Sequence, residues 1–173
     1  MPSSYQAPSR GDQVKKTSHS QSTESNLSRD SATVQKLIAR KGGEIFTIAP
    51  DDTLNTAVNL LRSKRIGALL VTDAERHLCG ILSERDIVRK LAETPGQTLP
   101  QSVADNMTTK VETCAPSDLL VSVLRRMNEG RFRHMPVVDD GRLCGMLTIG
   151  DVVNYRLNEL EYEALQMKQM IVG

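Results

Sequence analysis

One short stretch of this sequence occurs twice. Residues 80–86 (Gly-Ile-Leu-Ser-Glu-Arg-Asp) and residues 145–151 (Gly-Met-Leu-Thr-Ile-Gly-Asp) share a glycine, two apolar residues, a hydroxyl residue and an aspartate at the same spacing. In both copies an apolar, strand-like run precedes the hydroxyl residue and a helix-like pattern follows it. A duplicated strand-to-helix corner constrains the fold, because the chain must then build the same supersecondary unit twice.

The duplication extends well beyond these two corners. An apolar stripe with helical spacing follows Asp51 and Asp52, and the same stripe returns 66 residues later. The stripe consists of Leu54, Ala57, Val58 and Leu61 in the first copy and of Leu120, Val123, Leu124 and Met127 in the second. We expect Asp51 or Asp52 to cap the first of these helices, because a carboxylate accepts the free amides of a first turn.

Each copy is predicted to run strand, helix, strand, strand, helix. The predicted strands include residues 45–48, 68–71 and 78–82 of the first copy and residues 111–114 and 135–138 of the second. A short helix is expected before the first copy, ended by Gly42-Gly43, and longer helices are expected at about 83–92 and 149–170.

The duplication predicts an α+β fold. Two pseudo-symmetric units should pack sheet to sheet into one globule and leave two related crevices between them. Residues 1–32 are poor in aliphatic side chains and are expected to form a disordered polar tail. Residues 33–97 are assigned to the first unit with its preceding short helix, and residues 98–173 to the second unit with an extended C-terminal helix.

The predicted C-terminal helix carries an apolar stripe that is longer than one globule needs. The stripe consists of Leu157, Leu160, Ala164, Met167 and Ile171. Two interpretations stay open: the helix folds back on its own unit, or it forms a contact in a homodimer.

Composition excludes several classes of protein. The net charge is +1, so no bulk field favours nucleic acid or a membrane surface, and no apolar run reaches the length of a membrane span. The N-terminus lacks the apolar region of a secretory signal. Cys79, Cys114 and Cys144 form no CxxC pair and are expected to be small core residues rather than metal ligands. We expect a cytoplasmic protein without a metal site.

The two corners suggest a nucleotide site. A helix N-terminus with a hydroxyl residue, Ser83 or Thr148, can bind phosphate, and an aspartate one turn later, Asp86 or Asp151, can accept both hydroxyls of a ribose. Four further side chains could neutralise phosphate charge: Arg85, Arg131, Arg133 and His134. No nucleophile–base pair is evident, so we expect no enzymatic activity.

Simpler interpretations of the same residues stay open. Both corners match a capping box, in which hydroxyl and carboxylate satisfy the first helical amides. His134 could be a structural hydrogen-bonding residue, and the run from Arg131 to His134 could bind an acidic partner protein.

These motifs resemble those of tandem cystathionine-beta-synthase (CBS) domains, the Bateman module. The resemblance covers residues 41–157 and includes Ala-Pro before each first helix, the strand entries at Ile66-Gly67-Ala68 and His134–Val137, and both corners. The sequence resembles in particular the small stand-alone bacterial members, which carry Ser-Glu-Arg-Asp in the first corner and Gly-Arg-Phe-Arg-His before the second unit's strand. Ile149-Gly150 departs from the pattern by replacing the charged Glu84-Arg85 pair.

The resemblance implies a non-catalytic regulatory module that binds an adenine ligand such as AMP, ATP, NAD(H) or S-adenosylmethionine. It also implies a homodimer, which we expect to signal to an effector protein. The charge balance described above favours neither a nucleic acid nor a membrane partner. The resemblance also implies roles for residues: ribose contacts from Asp86 and Asp151, phosphate or ribose contacts from Ser83 and Thr148, and base contacts from Thr47, Ile66, Ala68, Thr113, Met135 and Pro136. The alternative is a structural or protein-interaction dimer with empty crevices.

Overall fold

The computed structural model describes residues 32–42 and 44–172. The predicted polar tail lies outside these residues except for Ala32, which is buried. The elements are α1 (Val34–Lys41), β1 (Thr47–Ile48), α2 (Leu54–Lys64), β2 (Ala68–Thr72), β3 (Leu78–Ser83), α3 (Glu84–Glu93), α4 (Leu120–Gly130), β4 (His134–Asp139), β5 (Arg142–Thr148) and α5 (Ile149–Val172). The α+β fold with two related repeats and a long C-terminal helix is confirmed.

The two repeats have equivalent sheets. In the first repeat β1 is parallel to β2, and β2 is antiparallel to β3. In the second repeat β4 is antiparallel to β5. Both antiparallel pairs carry a register shift at the same place, after Val71 and after Val137.

Alternate side chains of β2 and β4 point to opposite faces of these sheets. Leu69 and Val71 of β2 lie in the core of the first repeat, and Met135 and Val137 of β4 lie in the core of the second. The intervening residues Ala68, Leu70 and Pro136 are also buried.

The predicted strand at residues 111–114 is wrong in extent. Only Cys114 pairs with the second sheet, through a parallel bridge to Val137. The preceding polar groups bind a side chain instead, because Arg126 donates hydrogen bonds to the Thr113 carbonyl and, at 3.0 and 2.8 Å, to the Glu112 carboxylate.

The predicted cap of α2 is also wrong. Thr53 is the N-cap residue, and its hydroxyl accepts a hydrogen bond from the Thr56 amide at 3.2 Å. Asp52 lies one residue too early and instead accepts a hydrogen bond from the Ala49 amide at 3.1 Å, which closes the preceding turn.

The segment that precedes each repeat packs in the core of the other repeat. Val34 of α1 is fully buried in the second core, and its amide donates to the Asp118 carbonyl at 2.9 Å. Val103, which lies in the segment before the first sheet residue of the second repeat (Cys114), is fully buried in the first core, and its amide donates to the Asp52 carbonyl at 2.8 Å. The placement of the boundary between units at residues 97 and 98 stays a prediction.

This exchange explains the glycine in both corners. Gly80 lies against the exchanged segment of the second repeat, where a Cβ atom would be 2.7 Å from Met107 Sδ and 2.9 Å from the Thr108 carbonyl oxygen. Gly145 lies against α1, where a Cβ atom would be 2.9 Å from Ile38 Cδ1. Each glycine is therefore required by close approach of the other repeat's leading segment.

The C-terminal helix does not fold back on its own repeat. Among residues 160–171 every side chain is exposed except that of Gln166, which is half-buried. The three cysteines do lie in or against the cores, and burial raises the pKa of the Cys114 thiol to about 12. No group of three or more potential metal ligands occurs in the part of the chain that the structure describes.

Substitution of the two corner glycines should have unequal effects. Gly80→Ala should lower the free energy of unfolding by about 1–3 kcal/mol, because its methyl group would overlap a backbone carbonyl that cannot turn aside. Gly145→Ala should cost less, because the nearest atom is the end of a flexible isoleucine side chain. Chemical denaturation measures both values, and an equal loss would contradict this explanation.

Candidate functional site

A cavity of about 640 Å³ lies between the two repeats. One wall is the first corner, with Ser83, Arg85 and Asp86, and the opposite wall is the run from Gly130 to His134 of the second repeat. The segment from Thr108 to Glu112, which lacks Thr109 in the lining, forms a further wall. The cavity therefore brings together six of the residues predicted to bind ribose or phosphate: Ser83, Arg85, Asp86, Arg131, Arg133 and His134.

The first corner is a complete capping box. Asp86 Oδ2 accepts hydrogen bonds from the Ser83 amide at 2.9 Å and from the Ser83 hydroxyl at 2.6 Å, and the Ser83 hydroxyl accepts from the Asp86 amide at 3.3 Å. Within the described residues no hydrogen bond reaches Asp86 Oδ1. The capping interpretation is thus correct for one oxygen of the carboxylate, and the other oxygen remains an acceptor that a ligand can use.

The N-terminus of α3 offers fewer free amides to a phosphate group than its sequence predicts. The Glu84 amide donates to the Gly67 carbonyl at 3.0 Å, and the Asp86 amide donates to the Ser83 hydroxyl. Two of the first three amides of this helix therefore have partners within the chain. Side chains, rather than helix amides, must supply most of the charge that a phosphate group would meet.

Cationic side chains are concentrated around this cavity. Among the described residues its lining includes Arg85, Arg89, Lys110, Arg131 and Arg133, against Glu84, Asp86 and Glu112. Arg85 also joins the repeats, because its Nη1 donates to the Arg131 carbonyl at 3.3 Å. Arg131 itself ends α4 in the left-handed conformation, with φ of 55°. The excess of positive charge suits an anionic ligand.

His134 lies on the wall opposite the first corner. A Cβ atom built on Gly67 would lie 3.4 Å from its imidazole ring and 3.9 Å from the Glu84 carboxylate, so glycine keeps these groups close. Burial lowers the pKa of His134, and the charges of Lys41 and Arg133 lower it further, against the opposing effect of Glu84 and Asp151. The imidazole is therefore held neutral near neutral pH.

Ten residues of the cavity lining were not predicted to bind a ligand, and four of them have side chains that could contact one: Arg89, Lys110, Val111 and Phe132. Arg89 follows Arg85 by one helical turn, so its position on the same face of α3 could have been recognised. Lys110 comes directly before the segment predicted as a strand and Val111 is its first residue, but nothing local indicates that they face the first corner. Val111, Phe132 and Ile81 give the cavity apolar surface.

The second corner is arranged differently. Asp151 Oδ2 accepts a hydrogen bond from the Thr148 amide at 2.8 Å, and the Asp151 amide donates to the Thr148 hydroxyl at 3.1 Å. The same carboxylate oxygen binds Lys41 Nζ of α1 at 2.5 Å, and Lys41 also donates to the Met146 carbonyl at 3.2 Å. Burial alone would raise the pKa of Asp151, but the hydrogen bonds from Lys41 and Thr148 outweigh it and hold the pKa below its usual value.

The six residues predicted to contact a base do not line this cavity. Thr47 is exposed, Ile66 packs against the first core, and Thr113 is half-buried beside Arg126. The other three, Ala68, Met135 and Pro136, are buried within strands. Base contacts from these side chains stay a prediction, as do the roles of Thr148 and Asp151.

A comparison with known protein families identifies the chain. The CBS domain model matches twice, at residues 37–93 and 102–158. The chain belongs to the CBS-domain family. These two matches correspond to the two repeats and include both corners.

Known proteins are similar to much of this chain. It is 31% identical over 152 residues to the mitochondrial CBS domain-containing protein CBSX3 of Arabidopsis thaliana, covering 83% of this chain and 74% of that protein. Matches to three other plant relatives span only 19–24% of their length. A crystal structure of a CBS-domain protein from Agrobacterium tumefaciens is 40% identical, with a TM-score of 0.71, and the match covers 72% of this chain and 99% of that chain.

A second similar structure contains a ligand. The crystal structure of CBSX2 in complex with AMP is 28% identical, with a TM-score of 0.63, and the match covers 73% of this chain and 97% of that chain. No helix in the described part of the present chain has the length and apolar character needed to cross a membrane.

The buried His134 should make stability depend on pH. Because its pKa is lower in the folded state than the ordinary value of 6.5, the unfolded chain binds the proton more readily as the pH falls. The free energy of unfolding should therefore decrease from about pH 7 towards pH 5, and His134→Asn should flatten part of this decrease. Urea denaturation across this range tests the prediction, and identical pH profiles would contradict it.

Proposed function

We propose that this protein is a non-catalytic regulatory module that binds an adenine nucleotide in the cavity between its repeats. The observation that carries the proposal is the juxtaposition of Asp86 Oδ1, an unused acceptor on the first corner, with cationic side chains on both repeats. An acceptor for ribose hydroxyls and cations for phosphate thus meet in one cavity of sufficient size.

Each part of such a ligand has a chemical counterpart in the cavity. Asp86 would accept the ribose hydroxyls, and the arginines of α3 and of the Arg131–Arg133 run would bind the phosphate groups. Val111 and Phe132 would contact the flat base. AMP is the ligand named for CBSX2, which supports an adenine ligand here; ATP and NAD(H) have the same ribose and phosphate chemistry, and S-adenosylmethionine shares the ribose.

Binding in this cavity would engage both repeats at once. The first repeat contributes Asp86 and Arg85, and the second contributes Arg131, Arg133 and His134. A ligand that prefers one arrangement of these two walls would shift the protein towards it, and this shift is the signal that an effector protein would detect. We propose that the protein acts in this way as a homodimer in the cytoplasm.

We further propose that each chain binds one nucleotide at this site. In the second corner the Lys41 ammonium binds Asp151 Oδ2, the oxygen that also accepts the Thr148 amide, and it also donates to the Met146 carbonyl. Ribose binding there would have to compete with an ion pair whose partners are both partly shielded from water. The two corners therefore share a motif but differ in charge, because the Asp151 carboxylate is paired with an ammonium group whereas Asp86 has no ion pair within the described residues.

Removal of the first aspartate should abolish most nucleotide binding. Asp86→Ala removes the charged acceptor for two ribose hydroxyls, so affinity should fall by about tenfold or more. Asp151→Ala is the matched control and should leave the affinity of the cavity unchanged. Isothermal titration with AMP, ADP, ATP, NAD⁺, NADH and S-adenosylmethionine measures the affinity of both variants. Chemical denaturation of each variant measures the stability lost with the helix cap, which should be about 1 kcal/mol.

Equal affinity of Asp86→Ala and the wild-type protein would contradict the proposed site. Absence of binding with all six compounds would favour the alternative function, a structural or protein-interaction module. That alternative is supported by the complete capping box, which already gives Ser83 and Asp86 a structural role.

Release of the second corner should add a binding site. In Lys41→Met the Asp151 carboxylate loses its ammonium partner, so the number of nucleotides bound per chain in titration should rise from one towards two. Arg40→Met is a control on the same helix, since Arg40 lies over the Tyr155 ring rather than on Asp151. An unchanged number of sites in Lys41→Met would show that the ion pair does not close this corner.

A further inference from the structure

The exposed face of α5 has the spacing of a coiled coil. Six of its apolar residues are separated alternately by four and three positions, which is the spacing of the a and d positions of a heptad, whereas Tyr162, Leu165 and Met170 fall outside that spacing. The six residues, which we call the α5 seam, are Val153, Leu157, Leu160, Ala164, Met167 and Ile171. The five larger ones are 40%, 52%, 45%, 54% and 84% exposed, in that order.

The seam is separate from the face by which α5 packs on its own repeat. Val152 is buried in the second core and Tyr155 packs against that core, whereas Val153 and Leu157 point away from it. After Leu160 the helix continues for about three turns with almost no packing on its own chain. A helical segment of this length is marginal in water unless another surface covers its apolar stripe.

The charges beside the seam indicate what covers it. When the seam residues are assigned to a and d, Arg156 and Glu163 fall at g, and Glu161 and Lys168 fall at e. In a parallel pair of helices, each g residue faces the e residue five positions later on the partner. Two copies of α5 would then pair Glu163 with Lys168 and Arg156 with Glu161, which are both attractive; Arg156 would make this pair beside its 3.5 Å contact with Glu159 of the same helix.

An antiparallel pair would be unfavourable. Antiparallel helices bring e against e and g against g, so a pair centred on this seam would place Glu161 against Glu161 and Glu163 against Glu163 of the other copy. The sequence of α5 is therefore self-complementary in one orientation.

We propose that α5 forms a parallel two-stranded coiled coil with α5 of a second copy of this chain. The seam residues fill the interface, and the pairs Arg156–Glu161 and Glu163–Lys168 set the orientation. This interface is independent of nucleotide binding, so it can be tested whether or not the cavity binds a ligand.

The first experiment compares two leucines of the same helix in the full chain. Leu157 lies in the seam and is 52% exposed, whereas Leu165 lies outside it and is 53% exposed. Leu157→Asp should weaken dimerisation by about a hundredfold or more, because it would bury a carboxylate in the interface. Leu165→Asp should retain the wild-type dimer, as measured by sedimentation equilibrium.

The second experiment tests the orientation by reversing charges. Glu163→Lys alone places lysine against Lys168 of the partner, and Lys168→Glu alone places glutamate against Glu163, so each variant should dimerise about tenfold more weakly than wild type. When the two variants are mixed, both pairs become attractive again. The mixture should therefore recover wild-type dimerisation as heterodimers, identified by differential mass labelling.

Several results would overturn the proposal. A monomeric wild-type chain would mean that the seam binds something other than a second copy. A dimer that survives Leu157→Asp, or that is weakened equally by Leu165→Asp, would place the interface elsewhere. Failure of the mixed charge variants to recover dimerisation would exclude the parallel orientation.

Discussion

The structure depends on the reciprocal exchange of the segments that precede each repeat. Val34 completes the core of the second repeat, and Val103 completes the core of the first. Neither repeat has a complete core without a segment that is covalently attached to the other. Each exchanged segment also forms backbone hydrogen bonds with the other repeat, and these bonds hold the two repeats in one relative orientation. The cavity between them therefore has defined walls rather than the variable geometry of two loosely linked units.

The same exchange gives the two corners different environments. The segment before the second repeat brings Lys110 into the cavity beside the first corner. The segment before the first repeat brings Lys41 to the second corner, where it binds the aspartate directly. A duplicated sequence has thus acquired one corner that opens into a cationic cavity and one whose carboxylate is already neutralised. Replacement of Glu84-Arg85 by Ile149-Gly150 removes charge from the second corner as well.

Much of the fold could be predicted from the sequence, because its information is local and occurs twice. The stripes of α2 and α4, the strands beside them and the hydroxyl–aspartate corners all follow from spacing. The exchange of Val34 and Val103 could not be predicted in this way, because periodicity shows that a residue is buried but not which core buries it. The failure of the strand at residues 111–114 has a related cause, since Arg126 of a distant helix binds the polar groups of that segment.

The candidate site was predictable to a similar degree. The corner and the run from Arg131 to His134 were recognised by residue type, and the structure brings them to opposite walls of one cavity. Lys110 was missed because its position depends on the exchange. The ion pair between Lys41 and Asp151, with which a ligand would compete, could not be predicted either, because these two residues are 110 positions apart in the sequence.

The arrangement of β4 and β5 connects the cavity to the projecting helix. His134 forms part of the cavity wall and is the register partner of Thr148 on β5. Thr148 accepts the amide of Asp151 in the first turn of α5, and the Ile149 amide donates to the Arg133 carbonyl at 2.9 Å. The start of α5 is therefore hydrogen-bonded to the same run of residues that lines the cavity. A ligand that moved this run would act on the base of α5 directly, and a helix of 24 residues would convert a small change at its base into a larger displacement of the seam at its far end.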